Sequence, residues 1–338
     1  MPHIEQHKSL KKYNTFGLDV NADFFTSINS IDELVEVLNI EQFLSLPKIF
    51  LGGGSNVLLT KDYHGLIIHN CLKGIEVVKR EEDFVYVKAA SGEVWHDFVL
   101  YCIDNGFGGV ENMSLIPGSV GAGPMQNIGA YGVEMKDVFH ELEAFNLTTH
   151  QIEKFNNADC KFGYRESVFK NEKKGQYFIT SVTFRLNLNP TVNTNYGAIQ
   201  QQLSAMNVEH PTIKNVSDAV IAIRSSKLPN PAVLGNSGSF FKNPEISASA
   251  YERLKNEFPN VVAYPTNNGF KVAAGWLIEQ CGWKGKVVGN CGSHKDQALV
   301  LVNYGNATGD EIYQLALAIQ SSVSEKFQVQ IIPEVNII

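Results

Sequence analysis

No stretch of this 338-residue chain approaches the run of ~20 apolar residues that crosses a bilayer, so no membrane is expected as a partner. Positive charge is also short: 28 Lys and Arg stand against 35 Asp and Glu, a net charge of −7. Broad binding of nucleic acid or of an anionic lipid surface needs clustered positive charge, and neither is expected. A small anionic ligand needs only a few local cations and stays open. Cysteine is sparse and odd in number (Cys71, Cys102, Cys160, Cys281, Cys291), with no C-x-x-C pair. That argues against a disulfide framework and a zinc site and for a reducing compartment. Cys291-Gly292-Ser293-His294 looks like half a metal site, but no second pair has ligand spacing, so no metal is expected. The polar start, Met1 to Lys12, has no apolar run behind it. No secretory signal is read there, and a cytoplasmic location is the expectation. There is no internal repeat with a period of about 20–50 residues.

What is present is an ordinary globular mixture, 44% hydrophobic and 19% charged. At ~150 residues per domain the length suggests about two domains. Ser30-Ile31-Asp32-Glu33 and Thr308-Gly309-Asp310-Glu311 are capping boxes that open helices. The second is followed by Ile312, Leu315, Ile319 and Val323 on one face. Further helices are expected over 93–105, 217–226, 249–258 and 271–281. Strands are expected over 47–51, 84–90, 141–147, 177–186, 298–302 and 329–332. Phe178, Val182, Phe184 and Leu186 fall on one face at period two. The asparagine-rich, aperiodic 187–194 reads as a linker. The pattern is α+β: one such half, a linker, and a smaller α+β domain.

Two glycine-rich loops carry the first chemical signal. Gly52-Gly53-Gly54-Ser55-Asn56 follows an expected strand. It lacks the Lys-Ser/Thr ending of a P-loop and the G-x-G-x-x-G spacing. Its successive unblocked N–H groups can still form an anion-binding nest. The second loop runs from Ile116-Pro117-Gly118-Ser119-Val120-Gly121-Ala122 to Asn127-Ile128-Gly129-Ala130-Tyr131-Gly132. Such glycine density lets backbone lie flush against a flat or phosphorylated ligand. Two loops of this kind in one half favour a nucleotide or dinucleotide over tight turns alone.

These loops lie within a longer resemblance. Asn14-Thr15-Phe16-Gly17, both glycine loops, Phe162-Gly163-Tyr164-Arg165-Glu166-Ser167, Gly235 to Pro244, Ala273 to Ile278 and Pro333-Glu334-Val335 follow in order nearly end to end. Together they resemble the UDP-N-acetylenolpyruvoylglucosamine reductases, the MurB flavoenzymes of peptidoglycan precursor synthesis. Tyr196-Gly197-Ala198-Ile199 is similar to the type I branch, in which a tyrosine loop closes over the substrate. The fold implied is a vanillyl-alcohol-oxidase/PCMH-type FAD-binding fold of two subdomains plus a C-terminal α+β substrate domain. The implied boundaries are 1–190 (subdomains about 1–72 and 73–190, the first joined by the tail 327–338) and 191–326.

The resemblance implies a reduction of an enol ether. Hydride from NADPH passes by way of FAD to the terminal carbon of the enolpyruvyl group, and a proton must reach the adjacent carbon. Such chemistry needs an acid, a cation for the developing enolate, and a second polarising group. The resemblance gives these roles to Ser239, Arg165 and Glu334. A guanidinium suits a carboxylate because its donors form a fixed fork. Gly52, Gly53, Gly54, Ser55, Asn56, Pro117, Gly118, Ser119, Gly121, Ala122, Gly129 and Arg224 are expected around the cofactor. Tyr196, Lys227, Asn243, Tyr264 and Gln297 match the family's substrate contacts. Arg224 and Lys227 lie three apart on one expected helix, so both can face a diphosphate.

The reading is therefore a cytoplasmic, monomeric, FAD-containing and NADPH-dependent reductase of enolpyruvyl-UDP-N-acetylglucosamine. The alternatives are a flavin-dependent oxidase of the same superfamily, which would not need the Arg165, Ser239 and Glu334 set, and a nucleotide-sensing protein without turnover.

Overall fold

The computed structural model describes residues 2–338. The chain folds into two compact units. The first comprises Met1–His7, Asp23–Gly53 and His64–Ser226; the second comprises Lys8–Ala22, Gly54–Tyr63 and Lys227–Ile338. This division differs from a boundary at 190/191. The helices Gly197–Ala205 and Ile213–Lys227 come after the linker, yet all but the last residue belong to the first unit. The reason is local packing. The Ser217 and Ser114 hydroxyls are hydrogen-bonded at 2.8 Å in the buried interior, and Asn187 and Gly108 exchange backbone hydrogen bonds at 2.9 Å.

The first unit is built on two sheets. A four-stranded sheet runs in the order Glu5–Ser9, Asn21–Ile28, Tyr63–Asn70, Lys48–Leu51. Its Lys48–Leu51 strand pairs in parallel with Tyr63–Asn70, Lys48 opposite Leu66. Helix Ile31–Leu38 buries Leu34 and Val37. Ser30 caps it by accepting from the Glu33 N–H at 3.1 Å. The expected capping box is only half formed, because Glu33 reaches back to the N–H of Asn29 rather than that of Ser30.

The five-stranded antiparallel sheet has the order Ile152–Asn156, Phe139–Asn146, Tyr177–Asn187, Phe84–Ala90, Ile75–Arg80. Its central strand is buried on both faces, Thr180, Ser181 and Thr183 included. Val182, Phe184 and Leu186 pack with helix Trp95–Asp104, while Phe178 packs with Leu34 and Val37. Trp95, Phe98 and Phe184 form an aromatic nucleus with centroids 4.6–5.8 Å apart. Burying rings of this size stabilises by roughly 1.5–3 kcal/mol each. The Trp95 indole N–H donates to the Met113 carbonyl at 2.9 Å, so the same core residue fixes the approach to the second glycine loop.

The second unit holds a four-stranded sheet in the order Gly235–Ser239, Val300–Asn303, Cys291–Ser293, Val287–Val288, and a three-stranded sheet in the order Glu245–Ile246, Gly269–Val272, Ala263–Thr266. Helix Gly309–Phe327 packs its apolar face into this core. Its capping box is reciprocal: Thr308 accepts from the Glu311 N–H and Glu311 accepts from the Thr308 N–H. Helix Ala274–Gln280 starts later than expected, because Lys271 belongs to the strand Gly269–Val272.

The expected strand over 329–332 is absent. The tail makes one isolated bridge, Pro333 opposite Phe241, and pairs regularly only at Asn336–Ile337, parallel to Val57–Leu58. Pro333 has no N–H to donate and cannot extend a ladder.

Candidate active site

The glycine loops meet in the first unit. The segment after strand Lys48–Leu51 approaches Gly118-Ser119 so closely that a Cβ on Gly52 would lie 2.5 Å from Ser119 Oγ, and one on Gly53 would lie 3.4 Å from Gly118 Cα. The second loop is stitched to the start of helix Trp95–Asp104. Trp95 N–H donates to Gly118 O at 3.0 Å, Val120 N–H to Glu93 O at 2.8 Å, and Gly121 N–H to Ser91 O at 2.9 Å. A Cβ on Gly121 would meet Ser91 Cβ at 2.4 Å, and one on Gly129 would meet Val133 O at 2.6 Å. Gly118, Gly121 and Gly129 thus serve close backbone packing. Ser119 is buried, while Pro117, Ala122 and Gly53 are exposed. Gly54 is in the left-handed region at φ 60° and abuts the Tyr13 carbonyl within the second unit. Ser55 and Asn56 come next, half-buried.

Cationic side chains gather near this loop. Arg224 donates from Nε to the Leu115 carbonyl at 3.3 Å. Burial pulls its pKa below the usual arginine value; Tyr131 opposes that pull, and the like charge of Arg165 adds to it. Burial raises the Tyr131 hydroxyl pKa, against the neighbouring positive charge of Arg224. The Tyr131 and Tyr196 rings stand edge to face, centroids 5.3 Å apart. Tyr196, about half exposed, precedes helix Gly197–Ala205.

Arg165 lies in a tight turn, itself at φ 57°, between Gly163 and Glu166, which form an antiparallel bridge. Its guanidinium donates to Gly129 O at 2.8 Å and to Asn127 O at 3.3 Å. Fully buried Asn127, at φ 45°, also donates from Nδ2 to Gly163 O at 3.0 Å. Asn127 therefore fixes both the turn and the guanidinium. Sequence reading gave Asn127 no role, although an asparagine inside a glycine loop is itself a signal of left-handed backbone.

In the second unit the tail brings Glu334 to the strand of Ser239. The Glu334 N–H donates to Phe240 O at 2.8 Å, and the Lys242 N–H to Ile332 O at 3.0 Å. Asn56 Nδ2 donates to the Glu334 carbonyl at 3.3 Å. Ser239 is exposed and comes directly after Gly238 at φ 70°, where the register against Val300–Asn303 shifts. Buried Phe240 and Phe241 flank it on the other side. Asn243 and Gln297 converge on the start of helix Ala274–Gln280. Asn243 Oδ1 accepts from Ala274 N–H at 2.9 Å, and Gln297 Oε1 would lie 3.2 Å from a Cβ on Gly275. Tyr264 is exposed on strand Ala263–Thr266. Lys227 is exposed at the end of helix Ile213–Lys227, whereas Arg224, one turn earlier, is half-buried. The two cations thus have different surroundings.

Residues 230–338 match the family described as UDP-N-acetylenolpyruvoylglucosamine reductase, C-terminal domain, and residues 22–153 match FAD binding domain. The UDP-N-acetylenolpyruvoylglucosamine reductase of Flavobacterium johnsoniae is 53% identical over 337 residues, covering 99% of both chains. That of Amoebophilus asiaticus is 50% identical over 336 residues, again covering 99% of each. The chain belongs to the UDP-N-acetylenolpyruvoylglucosamine reductase family. A solved reductase of this family from Thermus caldophilus superposes with a TM-score of 0.69 at 20% identity, covering 100% of this chain and 99% of the other. The fold is thus α+β, an FAD-binding domain followed by the family's C-terminal domain.

Within this reductase family the FAD-binding stretch 22–153 contains both glycine loops. The geometry suits an anionic nucleotide cofactor. Gly53 is exposed and its missing Cβ leaves space beside Gly118 that a side chain would fill. Arg224, partly stripped of water, would regain stabilisation from an anion.

Proposed function

We propose that the protein reduces the enolpyruvyl ether of UDP-N-acetyl-3-O-(1-carboxyvinyl)-glucosamine to UDP-N-acetylmuramate, with bound FAD and with NADPH as reductant, in peptidoglycan precursor synthesis. The observation that carries this reading is the pairing of Phe240–Lys242 with Ile332–Glu334, which sets a hydroxyl and a carboxylate on adjoining segments. It occurs in a chain 53% identical, end to end, to a UDP-N-acetylenolpyruvoylglucosamine reductase.

FAD, when bound, supplies the hydride that NADPH gives up. The chain's own residues manage charge and the proton. Arg165 binds the substrate carboxylate and steadies the enolate; the carbonyls of Asn127 and Gly129 hold its guanidinium in place, so little reorganisation is needed as charge develops. The Ser239 hydroxyl gives a proton to the carbon next to that carboxylate. A hydroxyl is a weak acid, but a carbanion-like centre is a stronger base, so transfer runs downhill in good geometry. Glu334 supports that transfer from the adjoining segment. Gly52 to Asn56, Pro117, Gly118, Ser119, Gly121, Ala122, Gly129 and Arg224 hold the cofactor. Tyr196, Lys227, Asn243, Tyr264 and Gln297 bind the UDP-sugar, with Lys227 on its diphosphate. The same reading makes the protein a cytoplasmic monomer.

Stopped-flow absorbance near ~450 nm tests this. NADPH should bleach the flavin, and the enolpyruvyl sugar should restore its colour without oxygen. Recolouring by oxygen alone would replace the reading with a flavin oxidase. A colourless purified protein would remove the flavin.

A further inference from the structure

We propose that Asn112 is a positioning residue, the latch that holds the segment leading to Tyr196 against Tyr131; the kinetic part of this inference rests on Tyr196 covering the UDP-sugar. The segment 188–196 leaves the long strand Tyr177–Asn187 and has no regular structure until helix Gly197–Ala205 begins. Its start is fixed by the paired backbones of Asn187 and Gly108, and Pro190 packs where a Cβ on Gly108 would lie 2.2 Å from the proline Cβ. Its far end is fixed by the helix. Between the two, Asn112 Nδ2 donates to Asn193 O at 2.9 Å and to Tyr131 O at 3.1 Å.

One amide group therefore ties two segments together. Both partners are carbonyl oxygens, so the amino group must face them and the amide orientation is determined. Asn112 is 1% exposed and its Oδ1 has no partner. A buried acceptor without a partner costs stability. What the side chain contributes is thus the two bonds of its amino group. Its own segment is fixed: the Glu111 carboxylate accepts from Gly109 N–H at 2.6 Å, and Ser114 Oγ donates to Glu111 O at 2.7 Å. On the other side Tyr131, at φ 51°, sets its ring edge to face with Tyr196. Asn112 sets the spacing of the two backbones, and this ring contact depends on that spacing.

The test uses the FAD-loaded enzyme with Asn112→Asp, which keeps shape but puts an oxygen where the amino group donates, and Asn112→Leu, which removes both polar atoms. Hydrogen exchange over 188–199 should speed up in each variant while flavin content is retained. The KM for the UDP-sugar should rise about fivefold to tenfold, the worth of about one net hydrogen bond passed on to the Tyr196 contact, with kcat within about twofold and flavin reduction by NADPH unaltered. In a Tyr196→Ala background Asn112→Leu should add no further rise, because the two act as one unit. Unchanged exchange in 188–199, or an additive rise in KM, overturns the latch. Faster exchange together with a Tyr196→Ala enzyme of unchanged KM upholds the latch and rejects the substrate role of Tyr196. If Asn112→Leu fails to fold, Asn112→Ser, too short to reach either carbonyl, carries the same expectations.

Discussion

The backbone N–H of Glu334 donates to the carbonyl of Phe240 at 2.8 Å, so the C-terminal tail and the Ser239 strand share a fixed register. Pro333 faces Phe241, and Asn56 holds the Glu334 carbonyl from the end of the first glycine loop. Three stretches far apart in sequence thus determine where the backbone of Glu334 stands. Two residues further on, Asn336 donates its N–H to Asn56 O at 3.0 Å, and Ile338 O accepts from both the N–H and Oγ1 of Thr60 at 2.8 Å. The tail is secured on both sides of Glu334.

Ser239→Ala separates the two halves of the turnover. Ser239 is exposed and flanked by Gly238 and the buried Phe240, so removing its hydroxyl leaves the core untouched. Flavin reduction by NADPH should keep its rate. The step that consumes the enolpyruvyl sugar should slow by about 10²–10⁴-fold, the usual worth of a positioned acid. Single-turnover absorbance measures each half; equal slowing of both would count against proton donation.

Arg165 and Asn127 should respond differently. Arg165→Lys keeps the charge but loses the fork that engages Gly129 and Asn127. Reaction with the enolpyruvyl sugar should fall by about 10²–10³-fold with stability nearly unchanged. Asn127→Ala removes a fully buried side chain that also accepts from Lys136 N–H at 3.0 Å. It should lower stability by about 1–3 kcal/mol as well as activity, as urea melts would register. Wild-type stability in Asn127→Ala would mean that the turn holds itself.

The legibility of the sequence tracked the range of the interactions. Local signals translated well: the Thr308 box opens its helix, the strand 84–90 is where alternation puts it, and the first glycine cluster is a loop, while the second also holds a 3₁₀ turn at Val120–Ala122 and a short strand at Gly129–Ala130. Non-local pairing did not translate. The apolar run 329–332 looks like a strand, but Pro333 interrupts the ladder and the regular pairing falls at Asn336–Ile337. The linker after Asn187 looks like a domain boundary, but Gly108 anchors its start and Ser114 anchors helix Ile213–Lys227 within the first unit. The motifs propose Arg165, Ser239 and Glu334 for the site. They do not show the supports of Arg165, because Asn127 acts through a left-handed backbone and a contact 36 residues away.

The glycines of the first loop should differ sharply in tolerance. Gly54→Ala places a methyl against the Tyr13 carbonyl from a left-handed backbone at φ 60°, and neither fault is relieved by a side-chain rotation. A loss of about 1–3 kcal/mol is expected. Gly52→Ala meets only the hydroxyl of Ser119, which can turn away, and should cost less. Thermal melts of the two proteins decide this; equal losses would mean that the Ser119 rotamer is locked.

Acid should loosen the second glycine loop through His96. The Leu115 N–H donates to His96 Nδ1 at 3.0 Å, while the Leu115 carbonyl accepts from Arg224. That nitrogen accepts only in the neutral ring. Burial lowers the His96 pKa, Asp97 opposes this, and Arg224 adds to it. Below the unfolded value of about 6.5, the unfolded chain takes up the proton first, so stability falls as pH falls. The contribution is complete above about pH 6.5 and is lost on passing down through the lowered folded value. His96→Gln keeps an acceptor and does not titrate. The melting temperature of the wild type should drop further than that of His96→Gln between about pH 7.5 and pH 5. His69 and His294, whose pKa values burial also lowers, will leave the variant a residual slope. Identical slopes for the two proteins would show that His96 is not the group that senses acid.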